Sequence, residues 1–353
     1  MLLVSMQMKK GTLFIALLLL LFGCGRKRAV PDVSQIQVEL KWQHFEQDFF
    51  AIDTNAIVPA IARLRQQYPV FADDFLRNIL GLPPLDSVPE ANGAIRQFLS
   101  SYRAIKDSAD KVFSNVQPIQ DEVKRGLQFL KYYFPEYHAP TRLISFIGPM
   151  DAYYEGSLGG YGDIITGDAL AVGLQLHLGK NFSLYTSEMG QGLYPSYISS
   201  RFEPAYIPVN CMKNCIDDLF PEHNRGKSLL DQMVDKGKRL YVLDMLLPTT
   251  ADSLKIGYTG RQLEDCYKNE GLIWNFYLQN NLLYDTDPDR IKNYIGDGPK
   301  TDELGEGSPG FIVLFSGWQM VKKYMDTHPE VSLKELMNKD GRSILNDSHY
   351  KPK

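Results

Sequence analysis

The sequence predicts an α+β protein, mostly helical, with a small mixed β-sheet in the middle of the chain. Three observations carry that expectation. Apolar residues recur at helical spacing through residues 56–134, with Val123, Leu127 and Leu130 four and three apart. Residues 142–178 are β-rich and interrupted by glycines. Beyond them stand Ser228-Leu-Leu-Asp231, Thr259-Gly-Arg-Gln262 and Ser332-Leu-Lys-Glu335, each with the spacing of a capping box.

The N-terminus comes first. Lys9 and Lys10 follow Met8, the expected start, and precede an apolar run over residues 12–22 that closes on Leu21-Phe22-Gly23-Cys24. The run is too short to span a bilayer, which needs about 20 residues. It reads as a lipoprotein signal over residues 1–23, cleaved so that Cys24 becomes the lipidated first residue of the mature chain. An ordinary secretory signal, with the cysteine there by chance, is the alternative. Two or three acyl chains, at about 0.8 kcal/mol per buried methylene, hold a domain on a membrane essentially permanently. Residues 24–34 form the tether, in which Arg26, Lys27 and Arg28 either sit against anionic headgroups or solvate it, and residues 35–353 form a single domain. Gly25, in place of the aspartate of inner-membrane retention, favours the outer membrane, with the domain facing the periplasm or the exterior.

Composition narrows the function classes. The chain has 38 Lys and Arg against 42 Asp and Glu, a net charge of −4, and loss of the signal removes two of the lysines. No basic stripe exists to release counterions from a phosphate backbone, so nucleic acid is not a partner. Only Cys211, Cys215 and Cys266 remain after Cys24, enough for one disulfide at most.

Residues 35–40 alternate with the period of a half-buried strand. Residues 56–67, behind Asp53-Thr54-Asn55, form a helix, as do 71–80 (stopped by Gly81, Pro83 and Pro84), 94–112 and 120–134. Residues 142–147 and 169–178 are strands, the second with His177 as an exposed or partly paired imidazole. Gly156, Gly159, Gly160 and Gly162 between them lack the Lys-Ser/Thr ending of a phosphate loop and belong to a mobile hairpin loop. Helices then run from Ser228 to about Leu247, from Thr259 to Leu283, from Ser308-Pro309 through Trp318 to Met325, and onward from Ser332.

Several blocks taken together resemble the gliding-motility lipoprotein B family of gliding bacteria of the Bacteroidetes type. They include Phe45-Glu46-Gln47-Asp48-Phe49-Phe50, Arg201-Phe202-Glu203-Pro204-Ala205-Tyr206, Leu229-Leu230-Asp231-Gln232-Met233, Ser253-Leu254-Lys255-Ile256-Gly257-Tyr258-Thr259 and Ser308-Pro309-Gly310 with Gly317-Trp318-Gln319. The resemblance spans the mature chain. It implies an envelope lipoprotein required for gliding, coupled to a dedicated secretion system, with other envelope proteins of that machinery as partners. It supplies no chemical activity.

The family is also distantly similar to zinc peptidases of the zincin fold, in which a small sheet precedes a helix carrying His-Glu-x-x-His. That motif needs two histidines one turn apart on the metal and the glutamate on its water. None of the six histidines is followed by glutamate, and no two lie four residues apart. After Ile207 stand Cys211-Met212-Lys213-Asn214-Cys215 instead. The spacing of the cysteines permits half of a structural zinc site; two small, partly buried helix residues are the simpler reading. A disulfide between them conflicts with helical geometry, because i,i+4 β-carbons stand about 5–6 Å apart and a bridge needs about 3.8 Å.

The resemblance therefore implies a zincin-like, metal-free and cofactor-free fold, a degenerate metallopeptidase acting as a non-catalytic component or assembly factor. Two alternatives stand beside it. One is an active envelope hydrolase, either a metallopeptidase with unusual ligands or a wall hydrolase using acids such as Asp217-Asp218 or Asp285, Asp287 and Asp289. The other is a ligand-binding lipoprotein with a cleft lined by Tyr194, Tyr206 and Trp318, although aromatics more often fill cores.

Overall fold

Three short parallel strands organise the chain. The computed structural model describes residues 30–82 and 88–352; the signal, Cys24 and most of the tether lie outside them. β1 (Lys41–His44) pairs with β2 (Arg142–Phe146), and β2 with β6 (Ala169–Gly173), all parallel. The two-residue β5 (Ile164–Ile165) closes the far edge antiparallel to β6, giving the order β1-β2-β6-β5. Every residue of the inner strands β2 and β6 except Arg142 is buried, as in a parallel sheet covered on both faces. Between them, β3 (Tyr154–Gly156) and β4 (Gly159–Tyr161) form a separate antiparallel hairpin where a loop is predicted.

The first layer comprises α1 (Phe45–Phe50), α2 (Ile57–Gln67), α3 (Val88–Ser101), α4 (Arg103–Val112) and α5 (Gln117–Tyr133). Its nucleus is aromatic. Phe45 and Phe49 of α1 meet Phe75 edge-on, with centroids 4.7 and 5.0 Å apart, and Phe75 meets Phe146 of β2 at 6.0 Å. The crowding of phenylalanine in residues 45–50 thus fastens the helices to the sheet.

The second layer holds α6 (Ile207–Leu219), α7 (Leu229–Leu246), α8 (Asp252–Ile256), α9 (Gly260–Lys268), α10 (Glu270–Gln279), α11 (Pro288–Ile295), α12 (Val313–Thr327), α13 (Leu333–Asn338) and α14 (Gly341–Ser348). α7 and α12 cross at glycines. A β-carbon on Gly237 would stand 2.2 Å from the Gly317 carbonyl, and one on Gly317 would stand 1.9 Å from the Met233 oxygen. No described helix is long and apolar enough to cross a membrane.

Several boundaries depart from expectation. Residues 35–40 are not a strand; β1 begins at Lys41. Gln128, Lys131 and Gln120 of α5 donate instead to the carbonyls of Ile36, Gln37 and Leu40, so side chains replace a ladder. The expected helix over 94–112 breaks at Tyr102, whose ring stacks on Phe98 at 4.4 Å and whose hydroxyl accepts from the Met150 N–H at 3.0 Å. The strand over 169–178 stops at Gly173, where the chain turns into a short 3₁₀ segment. The helix from Thr259 breaks at Asn269, whose amide donates to the Asp265 carbonyl. Ser308-Pro309 does not open α12. Thr301 bonds both residues, and Phe311 adopts φ +55°, a left-handed conformation that no helix continues through. The capping boxes at Thr259 and Ser332 form as read, and Ser228 accepts from the Asp231 N–H.

Candidate functional site

A cleft of about 620 Å³ lies between the segment that leads into α6 and the start of α9. It is lined by Tyr197, Arg201, Glu203 and Tyr206 of the segment that runs into α6, by the end of α8, Gly257, Tyr258 and the start of α9, and by Asp297, Gly298 and Phe311. Arg201 forms an ion pair with Asp297. Two glycines bracket that pair. Gly159 of the hairpin (φ +97°) and Gly257 after α8 (φ +80°) take conformations that L side chains rarely adopt, and a β-carbon on either would lie 3.5–3.6 Å from the Arg201 side chain. Tyr258, fully sunk, donates to the Phe311 carbonyl at 3.1 Å. At the rim, Lys180 pairs with Glu203 at 3.3 Å.

A buried polar hub lies behind the Arg201 segment. The Asp163 carboxylate, 1% exposed, accepts from the Gly173 N–H at 3.1 Å and the Asn210 amide at 2.7 Å, and it faces His177 Nε2 at 2.9 Å. His177 Nδ1 faces the Glu203 carbonyl oxygen at 3.1 Å. His177 is therefore a buried, doubly engaged imidazole and not an exposed one. The hub ties the short edge strand β5 to α6 and to the cleft wall. Asn214 reinforces it by donating to the Asp163 carbonyl at 3.2 Å.

α6 is a regular helix through the cysteine pair. Cys211, Met212 and Cys215 are at most 1% exposed, and Met212 packs where Gly126 leaves room on α5. Both cysteines are free thiols, as is Cys266. Burial pushes Cys215 and Cys266 up to about 12 and Cys211 well above its ordinary value. Among the described residues, no three His, Cys, Asp or Glu side chains converge as metal ligands would. A thiol-labelling reagent at pH 8 should accordingly find no fast-reacting cysteine in the folded domain and three after unfolding in guanidinium. A rapidly modified Cys211 or Cys215 would contradict this burial.

Of the aromatics expected in a cleft, Tyr206 lines it. Tyr194 does not: it packs against Tyr153 and Phe202, with its hydroxyl donating to the Met150 carbonyl at 2.6 Å. Trp318 is wholly buried on α12, its Nε1 donating to Asp244 at 2.7 Å. The acids read as hydrolase candidates serve the framework. Asp217 accepts from Ser157 and from buried Arg239, and Asp218 accepts from Tyr137. Asp285 pairs with Arg290, and Asp287 caps α11 with Pro288 at its first turn.

Sequence reasoning missed Arg201, Asp297, Lys213 and Tyr258 as a group. Arg201 and Tyr258 sit in blocks quoted for the family resemblance. Asp297 carries only a weak signal, an acid between Gly296 and Gly298. Nothing in sequence reveals Lys213 as buried, because a lone lysine on a helix defaults to solvent.

No curated protein and no solved structure matched the chain. The model of the family described as gliding motility protein GldB matches residues 26–352, nearly the full length, and the chain belongs to that family.

Proposed function

We propose that the protein is a lipid-anchored, non-catalytic component or assembly factor of the gliding and secretion machinery, held in the cell envelope through Cys24 and engaging its partner in the cleft. Family membership supports the process. The observation that carries the non-catalytic reading is the disposition of α6. Cys211, Met212 and Cys215, at the spacing where a zincin-type helix would bear its metal motif, are packed in the core, while Asn210 and Lys213 are the α6 residues that line a small pocket behind the cleft wall. The charged groups that line the cleft are paired with one another, Arg201 with Asp297 and Lys180 with Glu203. Such pairing suits a preformed recognition surface.

Two genetic results follow. A Cys211→Ala, Cys215→Ala double variant should restore gliding to a strain lacking the protein; failure at normal protein levels would revive a thiolate-metal site. A Cys24→Ala variant should lose metabolic fatty-acid labelling and lose gliding. Labelling of the variant at the wild-type level would exclude lipidation at Cys24.

A further inference from the structure

Behind the inner wall of the cleft lies a small pocket of about 20 Å³, room for one water-sized species. Tyr153, Lys213, His177 and Asn210 line it with Arg201 and Tyr206, and the last two also line the cleft.

Its polar lining is one-sided. Tyr153 Oη and Arg201 Nε are both buried without a hydrogen-bond partner. Lys213 is 5% exposed and donates to the Leu158 carbonyl at 3.1 Å, which uses one of its three N–H groups. Among the described residues no carboxylate lies within ion-pair distance of Lys213. The nearby acceptors are engaged elsewhere, Asp163 by His177, Asn210 and Gly173, and Asp297 by Arg201. Buried donors without acceptors are costly, and a buried ammonium without a counter-charge is costlier. A water molecule accepts from two donors and would have to use Tyr153 Oη as its own acceptor, whereas an anion accepts from all three groups at once.

We propose that this pocket is a small-anion site, in which Arg201 Nε, Tyr153 Oη and Lys213 Nζ hold either a halide ion or a carboxylate carried by a chain lying in the cleft. Burial and the charge of Arg201 pull Lys213 down to about 7 against the opposing pull of Asp297 and Asp217, and a bound anion should raise it again. The inference stands on the pocket's own geometry and is independent of whether the cleft serves gliding.

The test is thermal unfolding of the full-length protein in non-ionic detergent at constant ionic strength, with sodium isethionate replaced stepwise by sodium chloride, sodium formate or sodium N-acetylglycinate. Wild type should show a saturable rise in Tm of about 3 °C with at least one of these anions. Lys213→Met should abolish the rise. Tyr153→Phe keeps the ring packing, removes only the hydroxyl, and should roughly halve the rise, which keeps the test decisive if Lys213→Met does not fold. A response to chloride and formate alone assigns a free small ion; a response to N-acetylglycinate that Gly260→Trp removes by obstructing the cleft assigns a carboxylate entering through it. No anion-specific rise in wild type, or an undiminished rise in both pocket variants, overturns the site.

Discussion

Gly317→Ala and Gly237→Ala should each abolish folding or cost at least about 4 kcal/mol. Overpacking in a core normally costs about 1–3 kcal/mol because side chains shift to relieve it. Here the obstacle is backbone. A β-carbon on Gly317 would lie 1.9 Å from the Met233 oxygen, and one on Gly237 would lie 2.2 Å from the Gly317 carbonyl. Relief therefore requires α7 and α12 to separate along their shared length, which would open the contacts of Met233, Trp318 and Val321, all fully buried. Gly192, in the short helix Glu188–Leu193, provides the control: nothing lies within 4 Å of its added β-carbon, so Gly192→Ala should be neutral or stabilising by up to about 1 kcal/mol. Circular-dichroism melts of the three variants decide the matter; a Gly317→Ala protein melting within 2–3 °C of wild type, a shift of about 1 kcal/mol, would show that the crossing is looser than described.

Asp163→Ala should be the most damaging substitution near the site, at about 3–5 kcal/mol. Its carboxylate serves the Gly173 N–H, His177 and Asn210, and all three lose their acceptor while still buried. Leaving buried donors unsatisfied costs about 1–3 kcal/mol each, though shared networks are not additive. Asp163→Asn should cost less, since it retains one oxygen for Gly173 while presenting an amide to groups that donate. Urea denaturation measures both. An Ala variant as stable as wild type would mean that the hub does not tie β5 to α6, and it would remove the support behind the wall that carries Arg201.

What sequence reveals here depends on how local the cause is. Helix starts at Ser228, Thr259 and Ser332 are legible because one side chain and a neighbour three residues on decide them. The aromatic block at 45–50 and the apolar runs of β2 and β6 likewise declare burial directly. The breaks at Tyr102 and Phe311 are not legible, since each answers a distant demand: the Met150 N–H for Tyr102, and for Phe311 the turn that offers its carbonyl to Tyr258. The false strand over 35–40 has the right alternation, but the groups that satisfy it lie some 80 to 95 residues away on α5. The site is less legible still. Tyr206 is the one aromatic of the expected three that lines the cleft, and the cleft's ion pair joins residues 96 apart, Arg201 and Asp297.

The most direct measurement is gliding by cells whose only copy carries Gly260→Trp. Gly260 lines the cleft at the first turn of α9, with open space where a β-carbon would be, so a tryptophan obstructs the cleft without straining the fold. With normal amounts of the variant in the membrane fraction, the expected result is loss of gliding to the level of a strain lacking the protein. Gliding at wild-type speed would contradict a function exercised through this cleft.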